Sequence, residues 1–431
     1  MNRKEKQKTH LFPYSLGMAS AGMSYALTTQ LTYCLTDSYG MAAALVGTIF
    51  LVSRIFDGVT DIIAGFIIDK THTKWGKARP FDLFCIPLWI LLVLCFSVPQ
   101  FNTIGKVLWV FLTYNLCQSV CYTFVTVSQT VRVKRSFSED VRAKVLSIGG
   151  VLAAAASTAV GIISPALIAK YESHPYGWSI IISMFAVPGI IMTLIQFFMV
   201  PEINDENEAK ENISIKESVK TLFANKYIFI VAASIIMLSM TNTLITTSGN
   251  FYFKYVFGDL NALSLVNLIA VAGFLLMFLI PVITKKCGNR NTMIIAFFIM
   301  ALFNLLKYVF KTNLAGLALC SALSGAGLTI GNTLRDLLVI DCITYGQEKS
   351  GNQLEGVYAS IKGFSDKAAL GLGSLLTGLV MQIGNYDGTL EVQSAGAQTA
   401  ITLCYAGIPA IMSIAGILIM LKYNLGKRQS H

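Results

Sequence analysis

Arg54, Asp57 and Asp61 stand at i, i+3 and i+7 inside one apolar run, a spacing that sets all three along one face of a helix. Charged groups at bilayer depth are expensive and face a cavity, a partner or a transported ion. Two carboxylates one turn apart repel each other when both are ionised and alone, so a cation, a proton or Arg54 has to compensate. Hard cations prefer oxygen ligands, and Thr60 adds a hydroxyl beside the two acids. The chemistry this favours is binding of Na⁺, Li⁺ or H⁺. The alternative is a buried Arg54–Asp57 ion pair that fixes helix packing, which accounts for one carboxylate and leaves Asp61 unexplained.

A second group of charges lies late in the chain. Arg335, Asp336 and Asp341 fall toward one end of an apolar run, and Lys362 and Lys367 fall in the next. Lys367 lies about eleven residues inside the expected start of its helix, hence roughly 16 Å deep at 1.5 Å per residue. For Lys367, a role in a cavity and a structural ion pair are both open. Snorkelling or a gate pair suits Lys362 and Asp341 better than solute contact.

The elements that must position these groups are apolar helices. The chain has 431 residues, 54% hydrophobic and 13% charged, against roughly a quarter charged in soluble domains. Apolar stretches are expected at about 12–36, 41–69, 81–99, 105–130, 144–170, 177–200, 226–253, 261–284, 291–311, 315–343, 356–383 and 398–421, each long enough to cross a hydrocarbon core of about 30 Å. The reading is an all-α integral membrane protein with twelve transmembrane helices in two six-helix halves, 1–201 and 226–431, joined by a polar linker over 202–225. The first run is long and lacks a small-residue cleavage site, so it reads as an uncleaved helix. Small residues such as Gly149, Gly150, Gly371 and Gly373 suit close helix packing.

The formal charge of +10 is unevenly placed. About 24 Lys and Arg fall in the termini and alternate loops and about four in the others, an asymmetry that puts both termini in the cytoplasm of a cell-membrane protein rather than marking a nucleic-acid binder. The cysteines lie mostly in apolar runs, and the four histidines fall in loops or tails. No disulfide framework, haem or metal cofactor is expected, and no nucleophile–base constellation suggests an enzyme.

Two motifs carry a resemblance. LVSRIFDGVTDIIAGFIIDKTHTKWGKARPF, Leu51 to Phe81, resembles the second helix and following loop of the glycoside-pentoside-hexuronide:cation symporters, the melibiose-permease group of the major facilitator superfamily. VIDCITYGQEKSGNQLEGVYASIKGFSDKAALGLG, Val339 to Gly373, is similar to a later motif of that family. With YSLGMAS, TDSYG and the twelve-span plan, the resemblance covers nearly the whole chain. It implies a major facilitator fold and cation-coupled solute transport by alternating access. It assigns the coupling cation to Asp57 and Asp61, with Thr60 where the melibiose permease has Asn and Thr123 as a fourth-helix ligand. It places Lys367 near the cation and sugar sites.

The family's sugar-binding acids are replaced by Ala21, with Ser20 and Ser24 nearby, and by Thr126; its aromatic platform by Thr130; its fifth-helix Arg by Gly150. Loss of those carboxylates beside Arg54, Arg335 and Lys367 suits a neutral or anionic glycoside, such as a hexuronide. The loop from Asp69 to Arg79, including Lys77, resembles the family's gating loop, with Asp341 as a further gate group. The expected partners are a small solute and the lipid bilayer, with no nucleic acid and no obligate protein partner. A lysolipid carrier of the same superfamily and a transporter-like membrane sensor are the rival readings.

Overall fold

The computed structural model describes residues 9–202, 225–271, 280–350 and 355–425. Within the bilayer every backbone amide and carbonyl must be satisfied inside the protein, which leaves helices as the solution for such a sequence. The helices are α1 (Leu11–Thr28), α2 (Ala43–Lys70), α3 (Cys85–Cys95), α4 (Thr103–Tyr114), α5 (Thr123–Ser136), α6 (Glu139–Tyr171) and α7 (Gly177–Met199). After the linker follow α8 (Lys226–Tyr252), α9 (Asn261–Ala270), α10 (Ile280–Leu306), α11 (Leu314–Ser350), α12 (Glu355–Ile383), α13 (Ala395–Thr402) and α14 (Ile408–Leu421). Among the described residues the sole β pairing is a bridge between Thr73 and Gly76.

Several membrane-crossing stretches are composite. A π-helix over Asn115–Tyr122 joins α4 to α5, and another over Leu403–Gly407 joins α13 to α14. At Gly288 (φ 75°, ψ 161°) the chain turns inside α10, which separates the eighth stretch from the ninth. The exposed Cys287 sits at that turn. With α9 and the part of α10 before Gly288 counted as one stretch, the described helices make the twelve stretches expected from the sequence. Among the described residues, seven helices are long and apolar enough to cross a membrane. The charged α2, which bears Arg54, Asp57 and Asp61, and α12, which bears Lys362 and Lys367, are not among them.

Some ends differ from expectation. α6 begins at Glu139 rather than near 144, directly after Ser138, which is extended (φ −68°, ψ 155°) and so marks the start of the helix. The ninth stretch stops at Leu306. The expected linker over 202–225 lies outside the described residues except for its two ends, Glu202 and Asn225.

Two compact units emerge, one comprising Met1–Met41 and Val52–Ala209, the other Ala42–Leu51 and Lys210–His431. In the first, α1 packs on α6 and α7. Trp89 on α3, fully buried, donates from Nε1 to Ser20 Oγ at 3.1 Å, and Ser20 donates to the Gly189 carbonyl at 2.8 Å. A Cβ on Gly189 would lie 2.3 Å from the Trp89 ring. In the second unit, Tyr227, Val231, Phe297, Leu334, Leu338 and Tyr423 form the centre of one apolar cluster from α8, α10, α11 and the segment after α14.

Replacement of Gly189 by Leu should overpack the Trp89 contact and destabilise the first unit by about 1–3 kcal/mol, read as a lower melting temperature of detergent-purified protein. An unchanged melting temperature would show that the α3–α7 contact is not tight.

Candidate cation and solute site

Asp57 is 3% exposed. Its Oδ2 accepts Arg54 Nη1 at 2.7 Å, while its Oδ1 takes a short hydrogen bond from Ser119 Oγ on the π-helix before α5. Arg54 Nη2 donates to the Tyr114 hydroxyl at 3.1 Å, and Arg54 Nε is buried with no hydrogen-bond partner among the described residues. Asn115 Oδ1 lies 3.1 Å from Ser119 Oγ, and Asn115 Nδ2 donates to Ser53 Oγ at 3.0 Å. One turn along α2, Asp61 Oδ1 accepts Thr123 Oγ1 at 3.1 Å. The Arg54–Asp57 ion pair forms, and the two acids are served in parallel by two hydroxyls from the neighbouring stretch.

The other expected positions are less convergent. Thr60 donates to its own helix, to Phe56 O at 3.0 Å and Asp57 O at 3.2 Å, and these bonds do not bring it to either carboxylate. Ala21 is buried, and the buried Ser24 donates to the Ala21 carbonyl at 2.8 Å. Thr126 likewise bonds back to Tyr122 O at 2.9 Å. The side chains of Thr130 and Asp69 lie outside the described residues. A Cβ on Gly150 would meet nothing within 4 Å. Tyr25 and Tyr122 stack with ring centroids 6.0 Å apart.

In the second unit Arg335 Nη1 donates to Asp366 Oδ1 at 2.9 Å, and Ser239 Oγ donates to the same oxygen at 2.7 Å. Lys362 pairs with Asp336 rather than with Asp341, and Asp341 Oδ2 accepts Asn289 Nδ2 at 2.9 Å. Lys367, beside Asp366 in sequence, is half-buried.

The loop after α2 closes on an acid that the sequence had placed in the linker. Glu202 accepts backbone amides from Lys77 at 3.0 Å, Ala78 at 2.9 Å and Arg79 at 2.7 Å, and pairs with Arg135 Nε at 2.8 Å. Gly76, at φ 118°, allows the turn, and a Cβ there would run into the Glu202 side chain. Arg79 Nε donates to Phe197 O at 2.8 Å. Alongside, the fully buried Arg132 pairs with Asp82 and donates to Val200 O at 2.5 Å.

The family described as MFS/sugar transport protein matches residues 13–427. The chain belongs to this family, that of the glycoside/cation symporters. Among its relatives are the isoprimeverose transporter of Lactiplantibacillus pentosus, 29% identical over 96% of this chain and 88% of the relative, and the putative glycoside/cation symporter YagG of Escherichia coli (strain K12), 30% identical over 95% and 90%. The glucuronide carrier protein homolog of the same strain is 26% identical over 99% of this chain and 94% of its own. A D-xylose-proton symporter structure superposes with a TM-score of 0.70 at 14% identity, covering 96% of this chain and 97% of that one. The nucleoside transporter NupG gives 0.67 at 15% identity, covering 98% and 100%. The fold is that of a major facilitator transporter, and the protein is a multi-pass membrane transporter rather than an enzyme.

Sequence reasoning passed over several groups that this symporter brings to its charges. Ser119 stands four residues before Thr123, as Asp57 stands four before Asp61, and that matched spacing was available. Asp366 lies within the second motif, hidden beside Lys367. Tyr114 and Asn115 carried no sequence signal of a role.

Glu202→Ala removes the acceptor for three backbone amides and the partner of Arg135, and breaking a buried pair in this way costs about 3–5 kcal/mol. The purified variant should unfold at a clearly lower temperature than wild type, whereas Glu202→Gln, which keeps an acceptor oxygen, should lie between the two. Equal melting temperatures for all three would show that this contact contributes no stability.

Proposed function

We propose that the chain carries a glycoside by cation-coupled alternating access, with Na⁺, Li⁺ or H⁺ bound at Asp57 and Asp61. The observation that supports this reading best is the parallel service of the two acids by Ser119 and Thr123 while Arg54 neutralises one of them. Carboxylates and hydroxyls are the oxygen donors that hard cations prefer. Arg54 and a cation bear the same charge, so they compete for Asp57, and a bound cation releases the guanidinium from that carboxylate. Charge at Asp57 is then compensated in either case, and cation binding is converted into a movement of Arg54. A proton at Asp57 would act in the same sense by removing the charge that holds Arg54.

Coupling follows if the position of Arg54 biases solute affinity, since each ligand must then raise the affinity for the other by the same factor. Relatives named for isoprimeverose and for glucuronide support a glycoside as the solute class. The Lys and Arg asymmetry of the loops supports cytoplasmic termini. The loop from Asp69 to Arg79, whose Lys77, Ala78 and Arg79 amides Glu202 accepts, serves as a gate element.

The test is uptake of radiolabelled glycosides into proteoliposomes under a Na⁺, Li⁺ or H⁺ gradient. Asp57→Asn and Asp61→Asn should each abolish gradient-driven accumulation, and Arg54→Gln should tighten the apparent cation affinity by about fivefold or more while weakening coupling. Accumulation by Asp61→Asn with the cation dependence of wild type would remove the cation assignment.

A further inference from the structure

Midway along α8, α11 and α12 the second unit carries a polar group that the cation site does not use. Ser239 lies 13 residues from the start of α8 and Asp366 lies 11 from the start of α12, and Arg335 lies 15 from the end of α11. At 1.5 Å per residue these positions lie roughly 16–22 Å along their helices from those ends. The Arg335 and Asp366 side chains are each 25% exposed. A charged pair that is part-exposed within such apolar stretches faces water, because hydrocarbon would not tolerate it. The pair is also unfinished. Asp366 Oδ1 takes both hydrogen bonds, from Arg335 and from Ser239, and among the described residues Oδ2 takes none. Arg335 Nε likewise has no partner.

Along the same face of α8, Asn242 follows Ser239 at i+3, and Thr246 follows at i+7. Asn242 is half-exposed, and its side-chain amide makes no hydrogen bond among the described residues. Thr246 is exposed. Next to them Thr243 packs on Gly373 of α12, so this face of α8 adjoins the helix that bears Asp366.

We propose that Arg335, Asp366 and Asn242 form a solute subsite that binds adjacent hydroxyls of an uncharged glycoside ring. The carboxylate accepts one hydroxyl proton, the guanidinium donates to the neighbouring oxygen, and the Asn242 amide, donor and acceptor together, fixes a third position. The Arg335–Asp366 pair is neutral as a unit, and so is the Lys362–Asp336 pair. Neither pair offers a carboxylated sugar a net positive field, whereas a diol gains two charge-assisted hydrogen bonds. Ser239 is a positioning residue that holds the carboxylate. This inference rests on the glycoside-transport reading given above.

The experiment measures KM for methyl β-D-xyloside, methyl β-D-glucoside and methyl β-D-glucuronide in proteoliposomes, together with the cation concentration that half-activates transport. Wild type should favour the two uncharged glycosides. Asn242→Ala should raise their KM by about tenfold, because a site built to hydrogen-bond a hydroxyl loses affinity when one partner is removed, and cation half-activation should stay within twofold of wild type. Exchange of the pair, Arg335→Asp with Asp366→Arg, preserves an ion pair but inverts donor and acceptor. It should leave expression and melting temperature near wild type and KM raised. Wild-type KM in Asn242→Ala, full recovery of KM in the exchanged pair, or preference for the glucuronide overturns the subsite while leaving symport intact. Failure of wild type to accumulate any glycoside under any gradient overturns the symport reading, and the subsite falls with it.

Discussion

Neutralising a carboxylate at bilayer depth is the constraint on which the first unit depends. Asp57 is buried in a helix that must pass through hydrocarbon, and an isolated ionised carboxylate there would be intolerable. The chain answers with a guanidinium one turn away on the same helix and a hydroxyl from the neighbouring stretch. Arg54 is itself steadied by Tyr114. Asp61, one turn further, leans on Thr123. The π-helix between α4 and α5 bears Asn115 and Ser119, so the irregular part of that stretch is also the part that serves the acids. Such π segments commonly coincide with functional sites.

The second unit solves the same problem with different geometry. There the guanidinium comes from α11 and the carboxylate from α12, and again a serine donates to the oxygen that the guanidinium holds. Pairing within one helix ties Arg54 and Asp57 together whatever neighbouring helices do. Pairing between two helices makes the Arg335–Asp366 bond sensitive to how α11 and α12 pack, and it leaves both partners a quarter exposed. The first arrangement suits a small hard ion enclosed by oxygen, and the second suits a ligand with its own donors and acceptors.

Much of this was legible in the sequence because the bilayer leaves few choices. Long apolar runs can only be helices there, so twelve stretches could be counted, and acids inside such a run declare themselves by their cost. The spacing of Arg54, Asp57 and Asp61 was enough to place them on one face, and Thr123 came from resemblance to a family. What could not be read depended on tertiary approach. Asp366 finds Arg335 only when α12 lies against α11, and the preference of Lys362 for Asp336 over Asp341 is set by the same packing. Glu202 looked like one more acid in a polar linker, because its ligands are the backbone amides of Lys77, Ala78 and Arg79, which have no side-chain signature. The hydroxyls of Ser24, Thr60 and Thr126 were candidates by type, yet each bonds back to its own helix, the usual fate of Ser and Thr in a helix interior.

The Glu202 clamp has a mechanical meaning. The chain leaves α7 at Met199, and only three residues later its carboxylate is fastened to the turn after α2 and, through Arg135, to the end of α5. A pull on Glu202 is therefore shared by the turn after α2 and the end of α5 instead of falling on the last turn of α7 alone. The exit point of the first unit behaves as a riveted corner, and a force applied there is transmitted to α2, the helix that carries Arg54, Asp57 and Asp61.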